Sequence, residues 1–508
     1  SLRDHYFSHV TCVILADRGS NAVRASIGLL FHFCKEYAMV FSSLHFIYIF
    51  LPLFLAVYFL IPEGKKYSIP AKNLVLLAGS LYFYAYGEPV FVCLMLLSIL
   101  VNYTLAALTE RGGKVCFLLA VFFDLAVLIV FKYAFFFTHN LNLLFQAMGG
   151  GLTLPEVSLK NPVGVSFYTF QAISYVADVY KKRYPAEKNF LHMAVYISMF
   201  PQLIAGPIVT YPTVRDALSA RSVTAKAFDE GVKLFILGLC AKVLIANRIG
   251  ILWTDIGRIG YESISPILAW MGAFAYSFQI YFDFYGYSLM AVGLGKMLGF
   301  LLPANFNDPY VSSSVTEFWR RWHMTLGAWF KEYVYIPLGG SREGKLKTVQ
   351  NIFLVWLLTG LWHGASWNFV IWGMLFFVLL MAERGGLKKV LDGHRGLSAL
   401  YMLFVIPVSW VIFAIPNISQ LCIYLTRLFP FLPVDYASNV NPDDYIKFAS
   451  VYGVSFLTAV VFCVPKVKSF FHGHLKGVFG DFVYVLLFFL SVYFLSQGLN
   501  NPFLYYRF

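Results

Sequence analysis

Ten apolar runs recur along this 508-residue chain, each close to the roughly 20 residues a helix needs to cross the hydrocarbon core of a bilayer. They are Leu44–Ile61, Asn73–Gly87, Val90–Leu108, Val115–Thr138, Val163–Tyr180, Gly231–Leu252, Pro266–Val292, Leu397–Ala414, Ala449–Val464 and Phe482–Ser496. In lipid every backbone N–H and C=O must be satisfied within the protein, so runs of this length are expected to be helices. The fold expected from them is an all-α polytopic membrane protein. Composition agrees: 59% of residues are hydrophobic and 13% charged, whereas a soluble domain has about a quarter charged. A soluble enzyme, a disordered chain and a disulfide scaffold are all excluded. The seven cysteines form no CxxC pair and read as small buried hydrophobes.

The net charge of +13 is not a nucleic-acid signature, because the basic residues cluster between apolar runs. Lys65 and Lys66, then Arg111 and Lys114, then Lys181, Lys182 and Arg183 follow alternate runs, while 87–89 and 140–160 carry almost no base. The positive-inside rule therefore puts Met39 outside and, after ten crossings, the C-terminus outside. The acidic loop Pro430–Asp444 fits the outer side. Residues 1–38 lack a signal-peptide layout. The Lys35-Glu36 pair just before Met39 is codable as a ribosome-binding sequence, so 1–38 is expected to be a non-native or unstructured leader and 39–508 a single domain.

Two segments break the alternation. Leu191–Tyr211 contains Pro201, Gly206 and Pro207, and Asn351–Met381 is too long for one span yet has basic flanks at both ends. Both are expected to be re-entrant hairpins, since irregular backbone at membrane depth is tolerated only inside protein or beside water. The second turns near Gly360–Gly364, with His363 at the turn.

Polar groups within the runs are the candidates for chemistry. Tyr168, Gln171, Tyr175 and Asp178 share one helical face, as do Gln279 and Asp283 with Tyr276 and Tyr287. Each stripe reads either as interhelical hydrogen bonding or as the lining of a hydrated tunnel. In 317–331, Phe318, Trp319, Trp322, His323, Leu326, Trp329 and Phe330 form an apolar stripe opposite Glu317, Arg320, Arg321 and Lys331. An amphipathic helix in the membrane interface is expected there, its arginines either anchors or phosphate contacts. His363 lies between Gly360 and Gly364, which predicts loose packing, and between Trp362 and Trp367. It is either a satisfied core histidine or a general base near neutral pH. There is no Walker A or GxSxG motif, and His472-Gly-His474 reads as an exposed loop rather than a metal site.

These residues lie in stretches that resemble a known family. They are Val165-Ser-Phe-Tyr-Thr-Phe-Gln-Ala-Ile-Ser-Tyr175 with Asp178, Phe200-Pro-Gln-Leu-Ile-Ala-Gly-Pro207, Asp283-Phe-Tyr-Gly-Tyr-Ser288 and Asn305-Phe-Asn-Asp-Pro-Tyr310. The likeness continues through Phe318-Trp-Arg-Arg-Trp-His323, Tyr335-Ile-Pro-Leu-Gly-Gly340, Gly360-Leu-Trp-His-Gly364 and Asn501-Pro-Phe-Leu-Tyr-Tyr-Arg-Phe508. The chain resembles the membrane-bound O-acyltransferases, specifically their bacterial AlgI-like branch of alginate O-acetyltransferases. One departure is Leu289, where relatives often carry Asp.

The resemblance implies a ring of about 10–11 transmembrane helices with funnels from both faces. It implies His363 as the central catalytic histidine and His323 as the second. On this reading Arg320, Arg321, Trp319 and Trp322 meet a cytoplasmic thioester donor, acetyl-CoA, and Tyr168, Gln171, Tyr175, Asp178, Gln279 and Asp283 line the tunnel. No metal and no cofactor beyond that donor is implied. The acceptor is expected to be an extracytoplasmic polysaccharide such as alginate. It would be reached through an extracytoplasmic acetyltransferase partner, an AlgJ/AlgX-like protein of SGNH-hydrolase fold, from the bacterial inner membrane. D-alanyl transfer, peptidoglycan or cellulose acetylation, and a transporter or channel remain alternatives. The last predicts an inverted repeat, and none is visible.

Overall fold

A computed structural model describes residues 39–150, 152–431, 440–475 (backbone alone at 471–474), 477–498 and Leu504. The expected leader 1–38, the side chains of His472 and His474, most of the acidic outer loop and most of the C-terminal motif lie outside the described residues.

Every regular element among the described residues is a helix. In order come α1 (Phe46–Leu60), α2 (Ser68–Gly87), α3 (Phe91–Gly112), α4 (Lys114–Ala147) and α5 (Val165–Tyr180). Then follow α6 (Phe190–Ser198), α7 (Tyr211–Ser219), α8 (Ala225–Ile259), α9 (Pro266–Met297), α10 (Val315–Arg321) and α11 (Met324–Phe330). The last are α12 (Lys345–His363), α13 (Trp367–Ala382), α14 (Arg395–Ala414), α15 (Ile418–Leu428), α16 (Asp444–Cys463), α17 (Pro465–His474) and α18 (Gly477–Ser496). Seven helices among the described residues are long and apolar enough to cross a membrane, so the chain is a polytopic membrane protein. Each of the ten apolar runs falls, within two residues, on a helix.

Helix α5 is the centre of the molecule: all of its residues but Tyr180 are buried. A helix sealed on every side cannot be amphipathic toward lipid, so its polar face has to be satisfied by protein or water. Helices α8 and α9 cross backbone to backbone. A Cβ on Gly238 would stand 2.4 Å from the Gly286 carbonyl oxygen, and one on Gly293 would stand 2.5 Å from that of Gly231. Small residues let apolar helices approach this closely where no hydrophobic effect drives them together. The same two helices share a buried ion pair, Lys242 Nζ to Asp283 Oδ1 at 2.5 Å.

The segment 190–211 is broken backbone. After α6 comes a single turn, Phe200–Leu203, and then extended chain to α7. All of 193–209 is buried, and side chains from elsewhere supply partners for its backbone. Ser80 Oγ accepts from Phe200 N at 3.1 Å, Thr325 Oγ1 accepts from Ile208 N at 3.0 Å, and Tyr196 OH donates to the Val209 carbonyl at 3.1 Å. That is the condition under which irregular backbone survives at membrane depth.

The segment 351–381 is a helical hairpin, α12 and α13 joined through Gly364–Ser366. Its arms are roughly 28 and 24 Å long at 1.5 Å per residue. The structure differs from expectation on the glycines. They do not loosen the turn; they let the arms touch. A Cβ on Gly360 would stand 2.4 Å from the Phe369 carbonyl oxygen, and one on Gly364 would stand 2.3 Å from the Phe369 ring.

The amphipathic stretch 317–331 also differs from expectation. It is two short helices, α10 and α11, broken at Trp322–His323. Its apolar stripe is covered by protein: Trp322, His323, Leu326, Trp329 and Phe330 are all buried. A stripe at helical spacing is satisfied equally by lipid or by a protein interior, and here the interior takes it.

Candidate active site

His363 is the last residue of α12 and is buried. Its ring meets Trp362, Trp372 and Phe413 edge-on at centroid distances of 4.9, 5.0 and 5.0 Å, with Phe369 at 6.4 Å. His363 also lines a small cavity of about 40 Å³ with Lys132, Asn161, Ser166, Phe167 and Trp362, room for a few waters. Lys132 and Asn161 also line a larger cavity of about 450 Å³. It is bordered by Gln279, Thr254 and Ser366 and by the rings of Trp253, Tyr276 and Phe413.

His323 sits in the break between α10 and α11 with φ 42° and ψ 52°. This left-handed conformation is uncommon for a residue with a side chain and costs of order 1–3 kcal/mol. Asn305 holds it there. Its Oδ1 is 3.1 Å from His323 Nδ1 and also accepts from Thr325 N at 3.2 Å and Thr325 Oγ1 at 2.9 Å. The His323 ring meets Phe284 at 4.7 Å and Trp362 at 5.8 Å. The indole of Trp362 therefore touches both histidines, although 40 residues separate them in sequence.

The donor-side candidates divide. Arg321 is engaged: Nη2 pairs with Glu317 Oε1 at 2.8 Å, and Nη1 donates to the Asn307 carbonyl at 3.2 Å. Burial disfavours the Glu317 carboxylate, but hydrogen bonds from Ser313 and the Arg321 guanidinium outweigh it and hold the carboxyl below its usual range. Arg320 is exposed and lines a cleft of about 380 Å³ with Thr316, Tyr335, Arg384 and Lys388. Trp322 is buried against Phe306, Phe318 and Trp410, and Trp319 packs on Trp356 and Phe376.

The tunnel candidates divide as well. Asp178 accepts from Arg183 at 2.9 Å and Tyr333 at 2.8 Å, and Tyr175 OH accepts from Glu187 N at 2.8 Å. Asp283 pairs with Lys242 and accepts from Leu504 N at 2.9 Å. These three tie elements together. Tyr168 and Gln171 are buried in mid-helix, and the Tyr168 hydroxyl and both Gln171 amide atoms find no hydrogen-bond partner among the described residues. Gln279 borders the larger cavity.

Three residues at the site or in its frame are not singled out by the sequence. Asn305 stands only within the motif 305–310. Lys132 shares the run Val115–Thr138 with Asp124, and Lys242 shares Gly231–Leu252 with Lys233 and Arg248; charges inside a run long enough to span were the signal.

Two buried histidines that both meet Trp362 within a multi-helix membrane protein form a site enclosed away from bulk water. The sequence matches the membrane-bound O-acyltransferase (MBOAT) family over residues 185–425. It is 39% identical over 401 residues to the probable alginate O-acetylase AlgI of Pseudomonas putida, covering 77% of this chain and 81% of that protein. It is 33% identical to the peptidoglycan O-acetyltransferase of Helicobacter pylori over 76% of this chain and 79% of that one. With the teichoic acid D-alanyltransferase of Bacillus subtilis it shares 31% identity over 44% of this chain and 60% of the other. The chain belongs to the membrane-bound O-acyltransferase family, on its AlgI-like branch, and is an acyltransferase.

Proposed function

We propose that this protein moves an acetyl group from cytoplasmic acetyl-CoA to a hydroxyl on the outer side of a bacterial inner membrane, for O-acetylation of a polysaccharide such as alginate. The observation that carries the reading is the contact of both His323 and His363 with Trp362, with His363 bordering a cavity. In the reaction His363 takes the proton of the acceptor hydroxyl as its oxygen attacks the thioester carbonyl. A C–O bond forms, the C–S bond breaks, and the proton passes to the departing thiolate. General-base help of this kind is worth about 10²–10⁴-fold. His323, oriented by Asn305, holds the thioester.

Arg320, with Arg384 and Lys388 beside it, faces the donor's phosphates, and guanidinium geometry suits that task. Arg321, Trp319 and Trp322 shape the wall next to it. Tyr168, Gln171 and Gln279 line the route between the faces, and Tyr175, Asp178 and Asp283 hold the helices that form it. The acceptor hydroxyl belongs to an extracytoplasmic partner of SGNH-hydrolase fold that delivers acetyl to the polymer. On this reading the hairpin α12–α13 enters and leaves on the cytoplasmic face of a ring of helices and carries His363 to the meeting point of two funnels.

The likeness to a peptidoglycan O-acetyltransferase over most of both chains favours peptidoglycan as the second reading of the final acceptor. Purified protein in lipid nanodiscs, given acetyl-CoA labelled in the acetyl group, tests the proposal. Label should pass to a hydroxyl acceptor with release of CoA. Release from D-alanyl carrier protein instead would redirect it to D-alanyl transfer.

A further inference from the structure

Lys132 takes no part in the chemistry above, yet it stands against the helix end that carries His363. Its Nζ donates to the Trp362 carbonyl and lies 3.3 Å from Ser166 Oγ. The next residue, Tyr133, donates its hydroxyl to the Leu361 carbonyl at 2.6 Å. Both belong to a π-helical turn in α4, Ile129–Tyr133.

We infer that Lys132 and Tyr133 form a latch that positions His363. The inference rests on the reading of His363 as the base. The last carbonyls of any helix lack intrahelical partners, and a cation there also meets the negative end of the helix dipole. In α12 the carbonyls of residues 361 and 362 are the two immediately before His363; both accept from the π turn, that of Leu361 alongside the Gly364 N–H. Lys132 further ties this end to the start of α5 through Ser166. Trp372, Phe413 and Phe369 pack against His363, and Lys132 shares with it the lining of the cavity of about 40 Å³. The latch holds the helix end beside that space, where Gly364 follows directly. π turns replace one regular turn and re-aim the side chains that follow, commonly at functional sites. Lys132 and Tyr133 are positioning residues: they act through the backbone of α12.

The test uses the full-length protein in nanodiscs with acetyl-CoA as donor. Four variants are compared: Lys132→Met, Lys132→Gln, Tyr133→Phe and, alongside, His363→Gln. Lys132→Met should lower kcat by about 10²-fold, the loss expected from a reacting group displaced by about 1 Å, with donor KM near wild type. Lys132→Gln should recover part of that loss, because its amide still donates to the Trp362 carbonyl. Tyr133→Phe should cost up to about tenfold, the scale of one hydrogen bond.

Hydrogen exchange supplies a readout independent of activity. The Gly364 amide, bonded to the Leu361 carbonyl at 3.1 Å, should exchange faster in Lys132→Met and less so in Lys132→Gln. Unchanged exchange, a wild-type kcat in Lys132→Met, or Gln no better than Met would each overturn the latch. Wild-type activity in His363→Gln would overturn the base assignment instead, leaving the exchange result to decide the latch by itself.

Discussion

Nδ1 of His323 lies 3.1 Å from Oδ1 of Asn305, and that contact fixes which nitrogen carries the proton. The same Oδ1 accepts from a backbone N–H, that of Thr325, so it is an acceptor and His323 Nδ1 must be the donor. In the neutral imidazole Nε2 is then the nitrogen with the lone pair. Removing Asn305 should therefore disable His323 without touching it. Asn305→Ala leaves the buried Thr325 donors unmatched, at about 1–3 kcal/mol, and frees the imidazole to take either tautomer. Acyl transfer should fall at least about tenfold more than the equally buried, less connected Asn351→Ala. Equal activity of the two variants would show that the tautomer does not matter.

The α12–α13 hairpin makes its own prediction. Gly360→Ala drives a methyl group into the Phe369 carbonyl, which is backbone and cannot yield, whereas Gly364→Ala meets only the Phe369 ring. Overpacking of this kind costs about 1–3 kcal/mol. Phe369→Leu should therefore restore the melting temperature of Gly364→Ala but not that of Gly360→Ala. Rescue of both would mean that the arms separate more easily than their contact implies.

Lys242 and Asp283 are each 2% exposed. Breaking such a pair from one side leaves a buried charge and costs about 3–5 kcal/mol, whereas replacing both partners with apolar residues costs far less. Asp283→Leu should lower the melting temperature in detergent sharply, and Lys242→Leu added to it should recover most of the loss. Additive losses would show that the backbone contact of Asp283 with Leu504, not the ion pair, dominates.

The two neighbouring arginines should separate in kinetics. Arg320→Gln should raise KM for acetyl-CoA more than it lowers kcat, the mark of a contact made equally in ground and transition states. Arg321→Gln should leave KM near wild type and change stability by no more than about 1 kcal/mol, since its pair with Glu317 is one-third exposed and such pairs are weak. The reverse pattern would move the donor site to the other side of α10.

Much of this was legible from residues alone, and the exceptions share a cause. The spans were readable because lipid length is a one-dimensional constraint. The place of His363 at a turn was readable because Gly360 and Gly364 flank it within an apolar segment, and the structure has it end α12 there. The break at His323 was invisible, since the three- and four-residue spacing of apolar positions continues unchanged across a kink. Asn305, 18 residues upstream of its histidine, is joined to it only by tertiary structure. Lys132 and Lys242 are absorbed into spans because two or three charges barely alter the hydropathy of a run of more than 20 residues. Gly360 and Gly364 were read as loosening the chain, when a missing side chain equally lets two helices touch.

The most direct test of the central claim is acyl transfer by His363→Gln. The ring of His363 is packed among Trp362, Trp372 and Phe413, so truncation to alanine would confound chemistry with a cavity. Glutamine fills more of the space and keeps hydrogen-bonding atoms, but takes up no proton at neutral pH. In nanodiscs with labelled acetyl-CoA, His363→Gln should melt near wild type and keep its donor KM while kcat falls by about 10²–10⁴-fold. Wild-type kcat in a well-inserted His363→Gln would contradict the account.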